Sequence, residues 1–372
     1  MRRLSASNRA FASRFVVSGV LLLLVLGAVA LLVLVLRPFD AVRAEVVQEG
    51  LEHPWDIGFA PDGRMLVTER SGQVLVFASG DPGAALVHTA PVPDVRAELE
   101  SGLMGIAVDG TTVFVCASRD PSDGPWSVDL LRSTLAPDGS LAPFEVLPIG
   151  EAVGAPRHQG CAVEAADGYL WVTIGDANLP PGENRAQDPA SLNGKVLRLA
   201  LDGTIPAGNP FGTAIYSLGH RNPQGIAVSR AGLVVAAEHG TDVNDEVNVI
   251  VPGGNYGYPC FTGDSDVGPI PDGCGPASDY LAPAWASGSP TLATSGAAFP
   301  WASGWDGELV VSTLKEEDLR VFSVAAAGEL TLEETLLDGR FGRLRAVVIG
   351  PDGAPYVSTA NGPGDRIIRV TR

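Results

Sequence analysis

The chain has 372 residues, 45 of them Gly and 29 Pro, with 45% apolar residues, 18% charged residues and a net charge of −18. Gly and Pro make up about a fifth of the chain against a usual share of about 12%, which excludes coiled coils and helical bundles, because Gly costs backbone entropy and Pro removes a helix donor. The apolar content excludes a disordered chain, and the surplus of negative charge excludes a phosphate-backbone partner, leaving an all-β protein with many tight turns as the expectation.

Residues 1–14 form a basic arm with Arg2, Arg3, Arg9 and Arg14. Phe15 to Leu36 follows without a single charge. At about 1.5 Å per residue such a helix crosses a bilayer core of about 30 Å. The arginines before it predict a signal-anchor with the N-terminus inside and everything after Arg37 outside. Val42-Arg43-Ala44 also reads as a weak cleavage site, so a secreted form stands as the alternative. Residues 37–43 are then a linker and 44–372 the folded domain. All four cysteines lie beyond the apolar run, where disulfides persist. Cys260 and Cys274 bracket a loop rich in Gly, Pro and Asp and are expected to pair, leaving Cys116 for Cys161.

From residue 62 onward a turn ending in Gly is followed by a short alternating apolar strand, six times over. The copies begin at Asp62-Gly63, Asp109-Gly110, Asp167-Gly168, Ala231-Gly232, Asp306-Gly307 and Asp352-Gly353. Turn-plus-strand units recurring at roughly 40–50 residues, with longer insertions between the middle copies, predict a six-bladed β-propeller. A pair of β-sandwiches is the rival architecture. Closure is expected from a strand near Val42–Val47 beside Arg366–Thr371. Residues at the far end of each repeat strand, among them Asp176, Glu238, Lys315 and Asn361, are then expected to converge on one face.

Three stretches carry more polar chemistry than a connecting loop needs: Arg157-His158-Gln159-Gly160, Gly219-His220-Arg221-Asn222-Pro223-Gln224-Gly225, and Glu238 to Asn248 with Asn255-Tyr256-Gly257 close behind. Together with Leu51 to Asp56, Asp167 to Ala177, Ala186 to Phe211 and Gly339 to Gly353, their order and spacing resemble the PQQ-dependent glucose and aldose sugar dehydrogenases, from Leu51 to Val370. The resemblance implies a six-bladed propeller, PQQ and calcium as cofactors, a small-molecule sugar substrate and a separate electron acceptor. It also assigns roles. His158 is the base for the anomeric hydroxyl, a task suited to imidazole. Asp176 orients it, and Arg221 and Asn222 lie at the quinone carbonyls, where donors stabilise developing negative charge. Lys315, Arg343 and Arg345 take the cofactor carboxylates, the two arginines being expected on one face of a strand. Glu100 contacts the sugar. The backbone of Gly240 and Thr241 holds one calcium, and Glu246 with the backbone of Tyr256 a second. Thr241 stands where the family usually has Pro.

The implied reaction is oxidation of an aldose at C1 to its lactone. A calcium-dependent sugar lactonase and a non-catalytic propeller binding carbohydrate or protein are the alternatives.

Overall fold

The computed structural model describes residues 42–372 apart from 123, 181, 262–273 and 306. The basic arm 1–14, the apolar segment 15–36 and most of the 37–43 linker lie outside the described residues, and among the described ones no helix is long and apolar enough to cross a membrane.

The repeat becomes six four-stranded antiparallel sheets. The chain enters with β1 (Arg43–Glu52) and then builds blade 1 from β2 (Pro54–Phe59), β3 (Met65–Glu69), β4 (Gln73–Phe77) and β5 (Leu86–Pro91). Blade 2 is β6 (Leu103–Asp109), β7 (Thr112–Arg119), β8 (Ser127–Thr134) and β9 (Glu145–Val146). Blade 3 is β10 (Gly160–Ala166), β11 (Tyr169–Ile174), β12 (Lys195–Ala200) and β13 (Ile215–Leu218), and blade 4 is β14 (Pro223–Val228), β15 (Val234–Glu238), β16 (Glu246–Val249) and β17 (Trp285–Ala286). Blade 5 comprises β18 (Thr294–Ala298), β19 (Leu309–Thr313), β20 (Leu319–Val324) and β21 (Leu330–Leu336). Blade 6 has β22 (Leu344–Ile349), β23 (Pro355–Thr359) and β24 (Pro363–Thr371), completed by β1, whose Arg43 opposes Thr371 and Ala44 opposes Val370. The first strands of consecutive blades touch in a closed ring. A pair of sandwiches would give two sheet stacks, so that rival is excluded.

The six repeat glycines sit between the first and second strands of their blades, every one at positive φ from 57° to 89°. That backbone conformation carries no Cβ penalty for Gly, which is why the motif recurs. Apolar side chains fill the space between blades: Phe114, Leu130, Leu170 and Leu197 belong to one cluster spanning blades 2 and 3. Within it the Cys116–Cys161 disulfide ties β7 to β10, both cysteines fully buried. Cys260 and Cys274 form the second bridge, so both expected pairings are present. The inter-blade bridge closes a loop of 45 residues. Replacing it by Cys116→Ala/Cys161→Ala is expected to cost about 2–4 kcal/mol. Thermal denaturation is expected to show a melting temperature lower by roughly 3–6 °C.

Each innermost strand carries a break in register at the same level, for example between Pro54 and Ile57, Leu103 and Ile106, and Thr294 and Ala297. The residues just before the resumed register are Gly105, Ala162, Gln224, Gly296 and Ala346 in blades 2 to 6 and Asp56 in blade 1, with Gly225 resuming the pairing opposite Ala237. A Cβ on Gly225 would overlap the Ser295 carbonyl oxygen of the next blade, so the ring closes on small residues.

The channel inside encloses about 210 Å³ and holds two acids, Asp56 and Glu164. Asp56 accepts from the backbone N–H groups of Ile57 (2.9 Å) and Ile106 (3.0 Å), yet burial pushes its carboxyl up to about 7. Burial, with repulsion from Asp56 behind it, pushes Glu164 up to about 8. A carboxyl raised in the folded state binds more protons there than in the unfolded chain. Its contribution therefore lowers stability as pH climbs from the unfolded value near 4.5 through about 8. Glu164→Gln is expected to raise the melting temperature at pH 8.5 by roughly 3–5 °C, from about 2–4 kcal/mol, with almost no gain at pH 4.5. An equal gain at both pH values would show that packing, not ionisation, is responsible.

Candidate active site

The polar residues gather at the end of the ring opposite the repeat turns. His158 lies in the loop entering β10 and is held at φ 54°, a conformation that costs a non-Gly residue some strain. Its neighbours fix it there. Its carbonyl accepts from Ala177 N (3.0 Å), its backbone N–H donates to Glu100 Oε2 (3.2 Å), and a Cβ on Gly175 would collide with its carbonyl oxygen. The ring Nδ1 is 2.8 Å from Asp176 Oδ1. With a carboxylate as acceptor, Nδ1 carries the hydrogen, and Nε2, which no described residue engages, is left with its lone pair.

Asp176 is fully buried and fully committed. Oδ1 also accepts from Asn178 N (2.9 Å), Oδ2 accepts from Asn184 Nδ2 (2.9 Å), and its backbone N–H donates to the Arg221 carbonyl (2.8 Å). The sequence offered no signal for Asn184, because its link to Asp176 depends on how the 177–194 loop folds back. That return is anchored by Lys195. Its ammonium is buried and donates to the carbonyls of Arg185 (2.9 Å), Ala186 (2.9 Å) and Asn193 (2.7 Å).

Arg221 and Asn222 stand beside this pair at the start of β14. Asn222 is fully buried; its Oδ1 accepts from Gly160 N (3.1 Å), while its Nδ2 has no partner among the described residues. Arg221 donates from Nη1 to the His239 carbonyl (3.2 Å), and its Nε is likewise unpartnered. The Arg221 backbone is pinned by Glu238 Oε2 (2.9 Å), and Glu238 also holds the buried His220 (Nδ1 to Oε1, 3.0 Å). His239 presents a third orphan, its buried Nε2. Burial foremost pushes its imidazole down to about 4, so it is neutral at physiological pH. Three buried polar atoms lacking partners in one place mark a site built for a polar ligand.

The basic residues divide. Arg343 and Arg345 line one cleft of about 320 Å³, together with Trp55, Arg70, Glu100 and Arg157. Arg343 precedes β22, which begins at Leu344, and Arg345 falls within its register break, yet the two side chains reach the same cleft. Arg345 lies over the Trp55 ring at 3.7 Å from its centroid and donates to Gln224 Oε1 (3.1 Å). Burial pushes its guanidinium down to about 9, so it stays charged near neutrality. Lys315 is exposed, touches Thr291 Oγ1 (3.4 Å) and is not among the residues lining the cleft.

Gly240 donates to Asp245 Oδ1 (2.8 Å), and a Cβ there would strike the carbonyl oxygens of Val243 and Asn244. Thr241 is exposed. Glu246 is buried and its Oε2 accepts from Asn248 Nδ2 (2.9 Å). Glu246, Tyr256, Gly240, Glu238 and Arg221 share one small cavity of about 10 Å³. Among the described residues there is no group of three or more His, Cys, Asp and Glu placed to hold a metal, so a cation in that cavity would need carbonyl oxygens as well.

Residues 51–369 match the glucose/sorbosone dehydrogenase family. The chain is 32% identical over 350 residues to the aldose sugar dehydrogenase YliI of Escherichia coli, covering 87% of this chain and 91% of that protein. It is 31% identical over 260 residues to quinoprotein glucose dehydrogenase B of Acinetobacter calcoaceticus, covering 60% of this chain and 53% of the relative. The PQQ-bound aldose sugar dehydrogenase of Streptomyces coelicolor superposes with a TM-score of 0.74 at 26% identity, covering 90% of this chain and 99% of that one.

Proposed function

The chain belongs to the glucose/sorbosone dehydrogenase family, and from that premise we propose that it is a PQQ-dependent quinoprotein that oxidises an aldose at C1 to the lactone. The observation that carries this reading is the His158–Asp176 pair beside the orphan donors Asn222 Nδ2 and Arg221 Nε. Those donors fit quinone oxygens, and Arg343 and Arg345 fit carboxylates on the same ligand, Arg being able to hold a carboxylate through two parallel bonds. Lys315, which lies outside that cleft, is the third cation that the resemblance assigns to the cofactor's carboxylates. The carbonyls around Gly240 and the Glu246–Tyr256 cavity are where calcium would be held.

PQQ, when bound, would supply the two-electron acceptor for the hydride that leaves C1 of the sugar. The protein manages the proton. His158 Nε2 takes it from the anomeric hydroxyl as C1–H and O–H are exchanged for C1=O. Asp176 Oδ1 keeps Nδ1–H oriented and stabilises the imidazolium that forms. Asn222 and Arg221 direct donors at the oxygen that gains negative charge, and being already fixed they need no reorganisation. Glu100 faces the sugar as a hydroxyl acceptor, braced by Arg157 Nη1 (3.2 Å) and His158 N. The electrons pass on to a separate acceptor. The apolar segment 15–36 supports display on the outer face of a membrane, or secretion if it is cleaved.

The reading is tested by titrating the protein with PQQ with and without calcium, then supplying aldoses and a redox dye. Saturable PQQ binding that raises the melting temperature, followed by aldose-dependent dye reduction, is expected. Absence of binding at micromolar PQQ overturns it.

A further inference from the structure

The cleft next to His158 holds more positive charge than the proposed chemistry uses. In a chain of net charge −18, four arginines line it and Glu100 is the sole acid among its lining residues. Arg343 and Arg345 are assigned to the cofactor in the reading above, on which this inference rests. Arg70 has no assignment, and Arg157 only braces Glu100.

Arg70 is a built position rather than a free surface side chain. It follows β3 directly, its backbone N–H donates to the His53 carbonyl (3.1 Å) and its carbonyl accepts from Leu103 N (3.0 Å). Its Nη1 donates to the Leu99 carbonyl, and its stem lies over Gly102, where any Cβ would overlap it. No carboxylate among the described residues pairs with it. Arg157 immediately precedes the proposed base, its side chain is 52% exposed, and its ion-pair partner is Glu100. The two arginines therefore line the same cleft as Arg343, Arg70 at the end of β3 in blade 1 and Arg157 in the loop that enters blade 3.

We propose that Arg70 and Arg157 form an anion subsite for the end of the substrate remote from C1, so that the preferred aldose carries a carboxylate or a phosphate. A planar guanidinium fork matches both groups. A cluster of like charges in a recess also draws such anions in, an effect that weakens with salt.

The test compares glucose, glucuronate and glucose 6-phosphate as substrates of the PQQ-loaded protein and of its Arg70→Gln variant, with PQQ affinity measured separately by thermal shift. For the unaltered protein KM is expected to be about tenfold lower for at least one anionic sugar, with the advantage shrinking as salt is raised. The sugar that shows it identifies the group recognised. Arg70→Gln is expected to raise KM for the anionic sugar to that for glucose, removing the advantage, with PQQ affinity unchanged. Equal KM values for neutral and anionic sugars overturn the subsite. So does an Arg70→Gln variant that loses PQQ affinity but keeps the same ratio between sugars, since the arginine would then belong to the cofactor. If no aldose is oxidised, the dehydrogenase reading fails. The subsite is then decided on the cofactor-free protein: an Arg70-dependent thermal shift with glucuronate or glucose 6-phosphate, not glucose, supports it, and its absence overturns it.

Discussion

His158→Ala is expected to lower kcat for aldose oxidation by about 10²–10⁴-fold while PQQ still binds, because a positioned base contributes on that scale. The argument runs through the ring's two nitrogens. Nδ1 is held at 2.8 Å by Asp176, so Nε2, which no described residue engages, is the atom left to accept a proton. His239 is pushed down to about 4, chiefly by burial, and its carbonyl accepts from Arg221, a poor setting for gathering a proton. Asp176→Asn provides the companion measurement. An amide at that place can present its N–H to Nδ1 and so shift the hydrogen to Nε2, and kcat is expected to fall although the fold and the cofactor site persist. An Ala variant at 158 with unchanged kcat would remove His158 from the mechanism. An Asn variant at 176 with unchanged kcat would show that the tautomer is fixed by something other than Asp176.

The second large effect is on stability. Lys195→Met removes a buried ammonium that serves three carbonyls, those of Arg185, Ala186 and Asn193. Met fills the stem's volume but offers no donor, so the Asn193 carbonyl loses its partner, while those of Arg185 and Ala186 keep the backbone N–H groups of Asp188 (3.0 Å) and Gly219 (3.0 Å). A loss of about 2–4 kcal/mol is expected from one stranded carbonyl and two weakened ones. For a domain of this size the melting temperature falls by roughly 3–6 °C. Because the same loop delivers Asn184 to Asp176, kcat is expected to fall several-fold as well, with PQQ affinity preserved. A variant that melts early yet turns over normally would uncouple the loop's anchoring from the His158–Asp176 pair.

The contrast between these residues shows what the sequence made legible. The blade count was readable because each blade needs the same positive-φ turn, and Gly at 63, 110, 168, 232, 307 and 353 marks it in the same register. The strand that closes the ring could be placed for a similar reason, since a propeller needs its first and last segments to meet. His158, Asp176, Arg221 and Asn222 came from family-like motifs, and the structure brings all four together. Asn184, Lys195 and Arg70 left no pattern to read. Each acts through a contact made by a returning loop or across a blade junction, and such partners have no fixed spacing. The channel acids were invisible for a different reason: Glu164 sits in an ordinary strand position and Asp56 at the register break of β2, and only the ring's closure sets them facing the channel. Arg343 and Arg345 do share one cleft, but at the entrance and register break of β22 rather than along a regular strand.

The pairing of β1 with β24 also has a consequence in time. β1 is made first, yet its partner emerges only after more than three hundred further residues, so through most of synthesis one edge of the nascent ring lies open with its backbone groups unpaired. Blades 1 to 5 can assemble as they emerge, but the circle cannot latch until β24 is available. Such a distant contact makes the final step slow to find. Arg343 and Arg345 belong to that last blade, so a stalled or prematurely released chain would carry His158 and Asp176 in place and still be unable to present the cationic wall opposite them.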